Sequence, residues 1–468
     1  MSAPITRLYV LVLVLFGTLV FATSWWTVFG AKGLDDNRFN RRELLEEARI
    51  KRGLIKARDG KVLARSVPAR GETYRRTYPE GDLFSHAVGY SFTDLGRSGL
   101  ERSRNDPLTG ENEEITSLID ELRGRAREGD DVITTLDSEA QRAAVDALDG
   151  QRGSIVALDP RTGAVRVMVS IPQFDPNDYP RESRALNRAE GSPLLNRATQ
   201  GRYPPGSTFK VVTAAAAIDS GSFTPDSQVN GDTGKVISGV PLANSGGASF
   251  GTIDLTTALT NSVNTVWAEV AEKLGKRTMG RYMTRFGFYA KPPLDYPADE
   301  RAASGEYANG RLLSPNSDQI DVGRMGIGQD KLQVTPLEMA MVAGAVANGG
   351  KLVEPHLTDR IVDRDGRIVE DVDTSERTVM KRSTAETLGR MMGNVVKEGT
   401  GTAAALSGVD VAGKTGTAEV GGSNQAWFIA FAPVDRPTVA IAATVERTDG
   451  QGGTVAAPIA KQVIEALL

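Results

Sequence analysis

Ser207 and Lys210 stand three residues apart in the stretch Arg202-Tyr203-Pro204-Pro205-Gly206-Ser207-Thr208-Phe209-Lys210, ahead of an alanine-rich apolar run. Proline, glycine and serine before such a run predict a helix start. Residues at i and i+3 share one helix face, so a hydroxyl and an amine become neighbours. The outward N–H groups of a helix N-terminus favour negative charge developing there. An amine that can be held neutral activates a serine without any histidine. The competing reading is structural, with Ser207 an N-cap and Lys210 a solvated first-turn residue.

Two further patterns fall later in the chain. Ser262-Val263-Asn264 is flanked by Leu259 and Trp267 in what reads as a buried helical stretch, Leu255 to Leu274. A hydroxyl and an amide there need polar partners, because unsatisfied burial is costly; a satisfied pair of core hydrogen bonds is the plainer alternative. Ser314-Pro315-Asn316 matches the same pattern, but in a loop interrupted by its own proline. Lys414-Thr415-Gly416-Thr417 follows the β-branched run Val409-Asp410-Val411. On a strand edge, a cation, two hydroxyls and a glycine suit an extended substrate and its carboxylate, with the glycine allowing close backbone approach; a protected edge strand is the alternative. Gly408 to Thr415 also satisfies G-x-x-x-x-G-K-[ST], the phosphate-loop pattern. That pattern requires a helix after it, and Gly416 to Gly422 does not read as one.

Composition narrows the chemistry. The chain has 468 residues, net charge −4, no cysteine and two histidines, His86 and His356. Thiolate catalysis, disulfides and cysteine-ligated zinc are excluded. Neither histidine lies in a metal-binding pattern, and a Ser-His-Asp solution has few candidates. Nothing suggests a nucleic-acid-binding body. No cofactor and no metal are expected.

The elements that must position these residues follow from the pattern of the rest. Leu8 to Val28 is uncharged and apolar over 21 residues, about 30 Å as a helix and enough to span a bilayer core. Its length, and the bulky Trp25-Trp26 at its end, favour an uncleaved anchor over a cleaved signal peptide. Arg38 to Arg52 reads as a charged helix, Arg52 to Ala64 as two strands around an Asp-Gly turn, and Arg97 to Arg127 as loops and a helix. Asp130 to Asp137 reads as a strand and Ser138 to Leu148 as a helix. Gly153 to Ser170 is a strong hairpin signal. Residues 221–253 and 301–318 read as long loops around a site. Helices are expected at Pro336 to Ala347, Thr384 to Lys397 and Ala457 to Leu468, with strands at Ala426 to Ala432 and Thr438 to Val445. Strands at both ends and helices between predict one α+β domain whose sheet joins the two ends of the segment.

In the order S-x-x-K, S-x-N, K-T-G, the three patterns resemble those of penicillin-binding proteins and class A β-lactamases. Their separations, 55 and 152 residues, and the Tyr-Pro-Pro-Gly before Ser207, are similar to those of the transpeptidases. Arg52-Gly53, Arg58-Asp59-Gly60 and Leu63-Ala64 resemble a further stretch of that family, except that Ala57 stands where the family usually has an acid. Gly326-Ile327-Gly328-Gln329, Thr335-Pro336-Leu337-Glu338-Met339-Ala340 and Ala426 to Pro433 also look like family landmarks. With one anchor, and too short an N-terminal module for a glycosyltransferase, the chain is similar to a class B enzyme of the actinobacterial PbpA type.

The resemblance implies an α+β serine transpeptidase domain, a sheet flanked by helices, preceded by an elongated pedestal module and one transmembrane helix. Residues 1–7 would be a short cytoplasmic N-terminus, 8–28 the anchor, 29–150 a non-catalytic pedestal or dimerisation-like module, and 151–468 the penicillin-binding domain outside the membrane. It implies a Ser207 acyl-enzyme, Lys210 as base and Ser262 as proton relay. Asn264, Lys414, Thr415, Gly416 and Thr417 would bind substrate, and the Ser207 and Thr417 N–H groups would form an oxyanion hole. Peptidoglycan stem peptides and β-lactam antibiotics would be its ligands. A membrane glycosyltransferase and division or elongation proteins would be its partners. The alternatives are a β-lactam sensor or division scaffold, and a carboxypeptidase or β-lactamase. The last needs a water-activating acid, and Glu306 before Asn309 does not match the class A E-x-x-x-N spacing.

Overall fold

A computed structural model describes residues 3–26, 48–111 and 128–468. The helix expected over Arg38 to Arg52, and the one expected before Arg127, fall largely outside the described residues. The first element, α1 (Ala3–Trp25), is mostly apolar and is exposed from Ile5 to its end. Residues Ile5–Trp25 are long and apolar enough to cross a membrane, by length and composition.

The elements that follow include β1 (Ile55–Lys56), β2 (Val62–Pro68), β3 (Tyr74–Thr77), β4 (Asp131–Thr134) and α2 (Ser138–Leu148). The Asp137 side chain caps α2, accepting from Ala140 N at 3.1 Å. The turn expected at Asp59-Gly60 joins β1 to β2, with Ala57 N donating to Lys61 O at 2.9 Å. The larger segment begins with the hairpin β5 (Gly153–Leu158) and β6 (Val165–Ile171). Its helices include α3 (Lys210–Asp219), α4 (Leu255–Thr260), α5 (Asn264–Phe286, interrupted at Gly275) and α6 (Pro336–Ala347). Then come β7 (Thr358–Val362), β8 (Ile368–Asp371) and α7 (Arg382–Lys397). The chain ends with β9 (Ala412–Val420), β10 (Ser423–Ala432), β11 (Val439–Thr448) and α8 (Ala456–Leu467).

The central sheet has the order β9-β10-β11-β5-β6 and is antiparallel throughout. It joins the two ends of the segment, as the sequence predicts. Strand alternation sorts its side chains onto two faces. Ile155, Ala157, Phe428, Ala430 and Ile441 lie in the core shared with α2 and α8. Val156, Leu158, Trp427, Ile429, Phe431 and Ala442 lie in the core shared with α3 and α5 to α7. Both faces of β10 are therefore covered, which explains its nearly unbroken apolar run. The edge strand β9 leaves alternate backbone groups outside the ladder, and the turn at Pro205-Gly206 packs against it.

A second sheet has the order β8-β7-β4-β1-β2-β3. Its first four strands in sequence come from the N-terminal part of the chain, but β7 and β8 are supplied from more than two hundred residues later. Local pattern does not reveal such a pairing, and residues 29–150 alone do not make up this sheet. Beneath it, Glu101 is fully buried and paired with Arg76 at 2.5 Å and Arg52 at 3.2 Å. Arg52 also donates to Asn105 Oδ1 at 2.7 Å, and Arg76 to Gly53 O at 2.7 Å. Arg104 bridges toward the larger segment, donating to Asp295 at 3.0 Å and Thr358 Oγ1 at 2.9 Å.

Candidate active site

Ser207 does not sit in an α-helix. Gly206–Phe209 forms a 3₁₀ turn, and α3 begins at Lys210. Three residues per turn still align positions i and i+3, so Ser207 and Lys210 keep the shared face expected of them. Gly206 has φ +53°, and a Cβ there would lie 2.6 Å from Thr417 O. A Cβ at Gly416 would lie 2.6 Å from Pro205 O. The nucleophile turn and the edge of β9 are thus pressed together through two glycines. The turn is held from behind by residues singled out as landmarks: Gly206 N donates to Gly328 O at 3.0 Å, Thr213 Oγ1 to Gly326 O at 2.7 Å, and Trp427 Nε1 to Pro204 O at 3.0 Å. Tyr203 OH donates to Glu446 Oε1 at 2.6 Å, and Arg197 pairs with the same oxygen at 2.7 Å.

The Ser262-Val263-Asn264 pattern corrects an expectation. The chain does not continue as one helix from Leu255 to Leu274. α4 ends at Thr260, Ser262 has φ +56°, and α5 starts at Asn264. No proline or glycine marks this break. The left-handed conformation is rare for a serine and is held by its surroundings. Its effect is to turn both the Ser262 carbonyl and its hydroxyl toward Lys210.

Lys210 Nζ lies 2.7 Å from Ser262 O, 3.2 Å from Ser262 Oγ and 2.7 Å from Asn264 Oδ1. Lys414 Nζ lies 2.9 Å from the same Ser262 Oγ and 3.0 Å from Thr415 O. Ser262 Oγ thus bridges two lysines that are both fully buried. Among the described residues neither lysine has a carboxylate within ion-pair distance. Burial, then the charge of Lys414, holds the Lys210 amine well below its ordinary value; burial brings Lys414 down to about 7. A neutral Lys210 donates to the two carbonyl-type oxygens and has one lone pair left to receive a proton. Ser207 Oγ makes no hydrogen bond among the described residues.

Of the sequence-predicted set, Ser262, Asn264 and Lys414 converge on Lys210, one 3₁₀ turn from Ser207. Thr415 and Thr417 lie on the opposite face of β9 from Lys414 and Gly416. The Thr415 hydroxyl lies 2.6 Å from Thr400 Oγ1, and Thr417 Oγ1 accepts from Gly452 N at 3.1 Å. Sequence reasoning missed Thr400 and Gly452. The only signals were the small-residue turns Gly399-Thr400-Gly401 and Gly452-Gly453. It also missed Asn244 in the loop over the site. That side chain donates to Gly231 O at 2.8 Å and Ala248 O at 2.9 Å, and accepts from Thr265 N at 3.0 Å.

The rival patterns find no support in the geometry. Lys414-Thr415 lies within β9, which continues to Val420, so no helix follows to carry phosphate. Ser314-Pro315-Asn316 is in a loop. Glu306 is enclosed, accepts from Tyr289 OH at 2.7 Å and makes no hydrogen bond to the lysine cluster. Burial lowers His86 to about 4, and His86 faces Pro172 O at 3.2 Å, outside the cluster.

Comparison with known proteins bears on the family and the fold. Residues 153–465 match the penicillin binding protein transpeptidase domain, and residues 52–132 match the penicillin binding protein A dimerisation domain. The chain is 35% identical to the peptidoglycan D,D-transpeptidase PbpA of Mycolicibacterium smegmatis, over all of this chain and 99% of that protein. It is 33% identical to PbpA of Mycobacterium tuberculosis with the same coverage. Its structure is similar to that of penicillin-binding protein A from M. tuberculosis solved as a ceftriaxone acyl-enzyme complex. That match has a TM-score of 0.83 at 32% identity, covering 91% of this chain and 100% of that one. The imipenem acyl-enzyme complex of the same protein matches at a TM-score of 0.82. The chain belongs to the penicillin-binding protein transpeptidase family.

Proposed function

We propose that the chain is a peptidoglycan D,D-transpeptidase that works through a Ser207 acyl-enzyme and is acylated at the same residue by β-lactams. The observation that carries this is a pair of buried lysines, with no carboxylate in ion-pair distance among the described residues, bridged by Ser262 Oγ beside the nucleophile turn. Such an environment makes an amine a base at neutral pH.

In the forward step, Lys210 Nζ takes the Ser207 hydroxyl proton as Oγ attacks the carbonyl of the penultimate D-Ala. The oxyanion lies against the N–H groups of Ser207 and Thr417, each donor contributing roughly 3–4 kcal/mol. When the intermediate collapses, the peptide C–N bond breaks. The proton leaves Lys210 through Ser262 to the departing amine, and terminal D-Ala is released. An amine of a neighbouring strand then attacks the ester, and Ser207 Oγ recovers a proton by the reverse path. Asn264 has one amide N–H directed to Ala243 O at 3.1 Å, and its second remains for the substrate chain. Lys414 supplies positive potential, and Thr417 takes the terminal carboxylate. Thr415 orients the strand beneath it, and Gly416 keeps that strand close to the nucleophile. A β-lactam follows the first half of this path, but its leaving nitrogen stays tethered, so the ester persists.

Residues 1–7 lie in the cytoplasm, 8–28 span the membrane once, 29–150 serve as a non-catalytic pedestal and 151–468 work outside. A membrane glycosyltransferase and division or elongation proteins are its partners. Fluorescent penicillin tests the reading: it labels the parent protein stoichiometrically and leaves Ser207→Ala unlabelled. Labelling of Ser207→Ala, or rapid multiple turnover of nitrocefin by the parent, rejects it.

A further inference from the structure

The segment between α7 and β9 carries Gly399-Thr400-Gly401, which no step of the reaction above uses. It lies where two walls of the site meet, since α7 packs against both α4 and β9. Thr400 holds one wall through its backbone and the other through its side chain. Its N–H donates to Thr260 O, at the end of α4, at 3.3 Å. Its hydroxyl lies 2.6 Å from Thr415 Oγ1 on β9. Neither side leaves slack. A Cβ at Gly399 would lie 2.4 Å from Thr260 O, and a Cβ at Gly453 would lie 2.4 Å from Thr400 O.

Ser262 moves with the first of these walls. Its N–H donates to Leu259 O at 3.1 Å, and Val263 N donates to Ala258 O at 2.9 Å, so the break is tied to the last carbonyls of α4. Lys414 precedes Thr415 on the second wall, and its Nζ lies 2.9 Å from Ser262 Oγ. These contacts close a ring: Thr260 to Thr400, Thr400 to Thr415, Lys414 to Ser262, and Ser262 back along the chain to Thr260. We infer that Thr400 is a positioning residue, which sets the gap between Ser262 and Lys414 and with it the alignment of the proton relay. The inference rests on the transpeptidase reading. Thr400 acts here through other residues and touches no substrate. Its hydroxyl suits the task because two hydroxyls approach to 2.6 Å, whereas a methyl carbon stands about 3.3 Å or more from an oxygen. A shift of about 1 Å in a reacting group costs up to about a hundredfold in rate, so a shift of part of that is enough to be read in kinetics.

The test uses full-length protein in detergent, with fluorescent penicillin as the probe. Thr400→Val keeps the β-branched shape and the N–H but puts a methyl where the hydroxyl was. Thr400→Ser keeps the hydroxyl. Thr400→Val should lower the second-order rate of Ser207 acylation about tenfold, and Thr400→Ser should stay close to the parent. Thr400 is exposed, so the thermal midpoint of either variant should stay within about 2 °C of the parent. In a crystal structure of unacylated Thr400→Val, Ser262 Oγ and Lys414 Nζ should stand beyond hydrogen-bond distance, about 3.5 Å. In a Ser262→Ala background, followed over hours, adding Thr400→Val should cause no further loss. The inference fails if Thr400→Val acylates as the parent does, if Thr400→Ser is as slow as Thr400→Val, or if the Ser262–Lys414 contact is unchanged in the variant structure. An equal loss with and without the Ser262 hydroxyl also overturns it, and assigns Thr400 to another part of the site. A parent that takes no label at Ser207 rejects the transpeptidase reading, while the distance in the variant structure still decides whether Thr400 sets the gap.

Discussion

Glu101 in the N-terminal module and Lys210 in the cleft are both fully buried ionisable groups, yet their surroundings are built in opposite ways. Burial alone pushes the Glu101 carboxyl up, but Arg76 and Arg52 override it and hold it below its usual range. The group stays charged and fixes three segments, around residues 52, 76 and 101, into one body. Lys210 has carbonyl and hydroxyl oxygens around it and a second cation nearby, with no acid in ion-pair distance among the described residues. Its charge is disfavoured, and it is left as a free amine. A compensated buried charge is a structural tie, while an uncompensated one is a reagent, and the counter-ion decides which.

The largest effect should come from removing the reagent. Lys210→Met keeps the volume and discards the amine, and a general base contributes about 10²–10⁴-fold. The second-order rate of penicillin acylation should fall toward the upper end of that range. Stability should rise, because a depressed amine pKa means that the unfolded chain binds a proton the folded one does not. That gain is complete below the folded-state pKa and disappears as the pH rises past about 10.4, the unfolded value. Denaturant melts at pH 6 and pH 10.5 measure it. If the variant melts lower at both, the cleft does not hold an uncompensated amine.

Glu101→Gln should do the reverse. It leaves Arg76 buried without its counter-charge and takes one carboxylate from Arg52, at a cost of about 3–5 kcal/mol. The melt should move down strongly, while the acylation rate at low temperature, where the variant is still folded, stays near that of the parent. A fall in acylation equal to that of Lys210→Met would mean that the two regions are not functionally separate.

Lys414 tests the link inside the cleft. Lys414 stands near 7 and Lys210 is held well below its ordinary value, so acylation by the free enzyme should rise with pH as Lys210 loses its proton and decline around neutrality as Lys414 loses its own. In Lys414→Met the like charge that helps keep Lys210 neutral is gone. The rising limb should therefore move to higher pH, the declining limb should vanish, and the maximal rate should fall by about 10–10². A pH profile of acylation with an unchanged rising limb would show that the two lysines do not interact.

How much of this was legible depended on sequence distance. Motifs within a few residues were readable: Ser207 with Lys210, the Lys414 to Thr417 strand, and helices with sharp ends such as Ser138–Leu148 and Pro336–Ala347. The phosphate-loop match could be set aside because the residues after it, Gly416 to Gly422, do not read as the helix that pattern requires. The break at Ser262 was missed because no glycine or proline marks it; the weak helix formers Thr260-Asn261-Ser262-Val263-Asn264 permit it, and the fold holds Ser262 at φ +56°. The tie between Arg52, Arg76 and Glu101 was hidden for a different reason. Each member is an ordinary surface residue type, and only the fold brings the three together in the interior. The same holds for β7 and β8, which complete a sheet begun three hundred residues earlier.

Asn244 gives the smallest expected effect and the finest test of the contrast. It is neutral and buried, and its amide ties the loop over the cleft to Thr265, the residue after Asn264. The neighbouring Ala243 carbonyl accepts from Asn264 Nδ2, which leaves Asn264 Oδ1 turned to Lys210. Asn244 is thus a positioning residue that acts through Asn264. Asn244→Ala should slow acylation about tenfold, roughly the 1–2 kcal/mol of lost alignment that unpaired buried amide partners produce. If the action runs through Asn264, the double variant Asn244→Ala/Asn264→Ala should be no slower than Asn264→Ala alone, a coupling that independent sites do not show. Additive losses would assign Asn244 to loop stability and place it with Glu101 among the structural ties. Non-additive losses would extend the machinery around Lys210 by one neutral side chain, whose burial is satisfied by hydrogen bonds and whose value lies in where it points its neighbour.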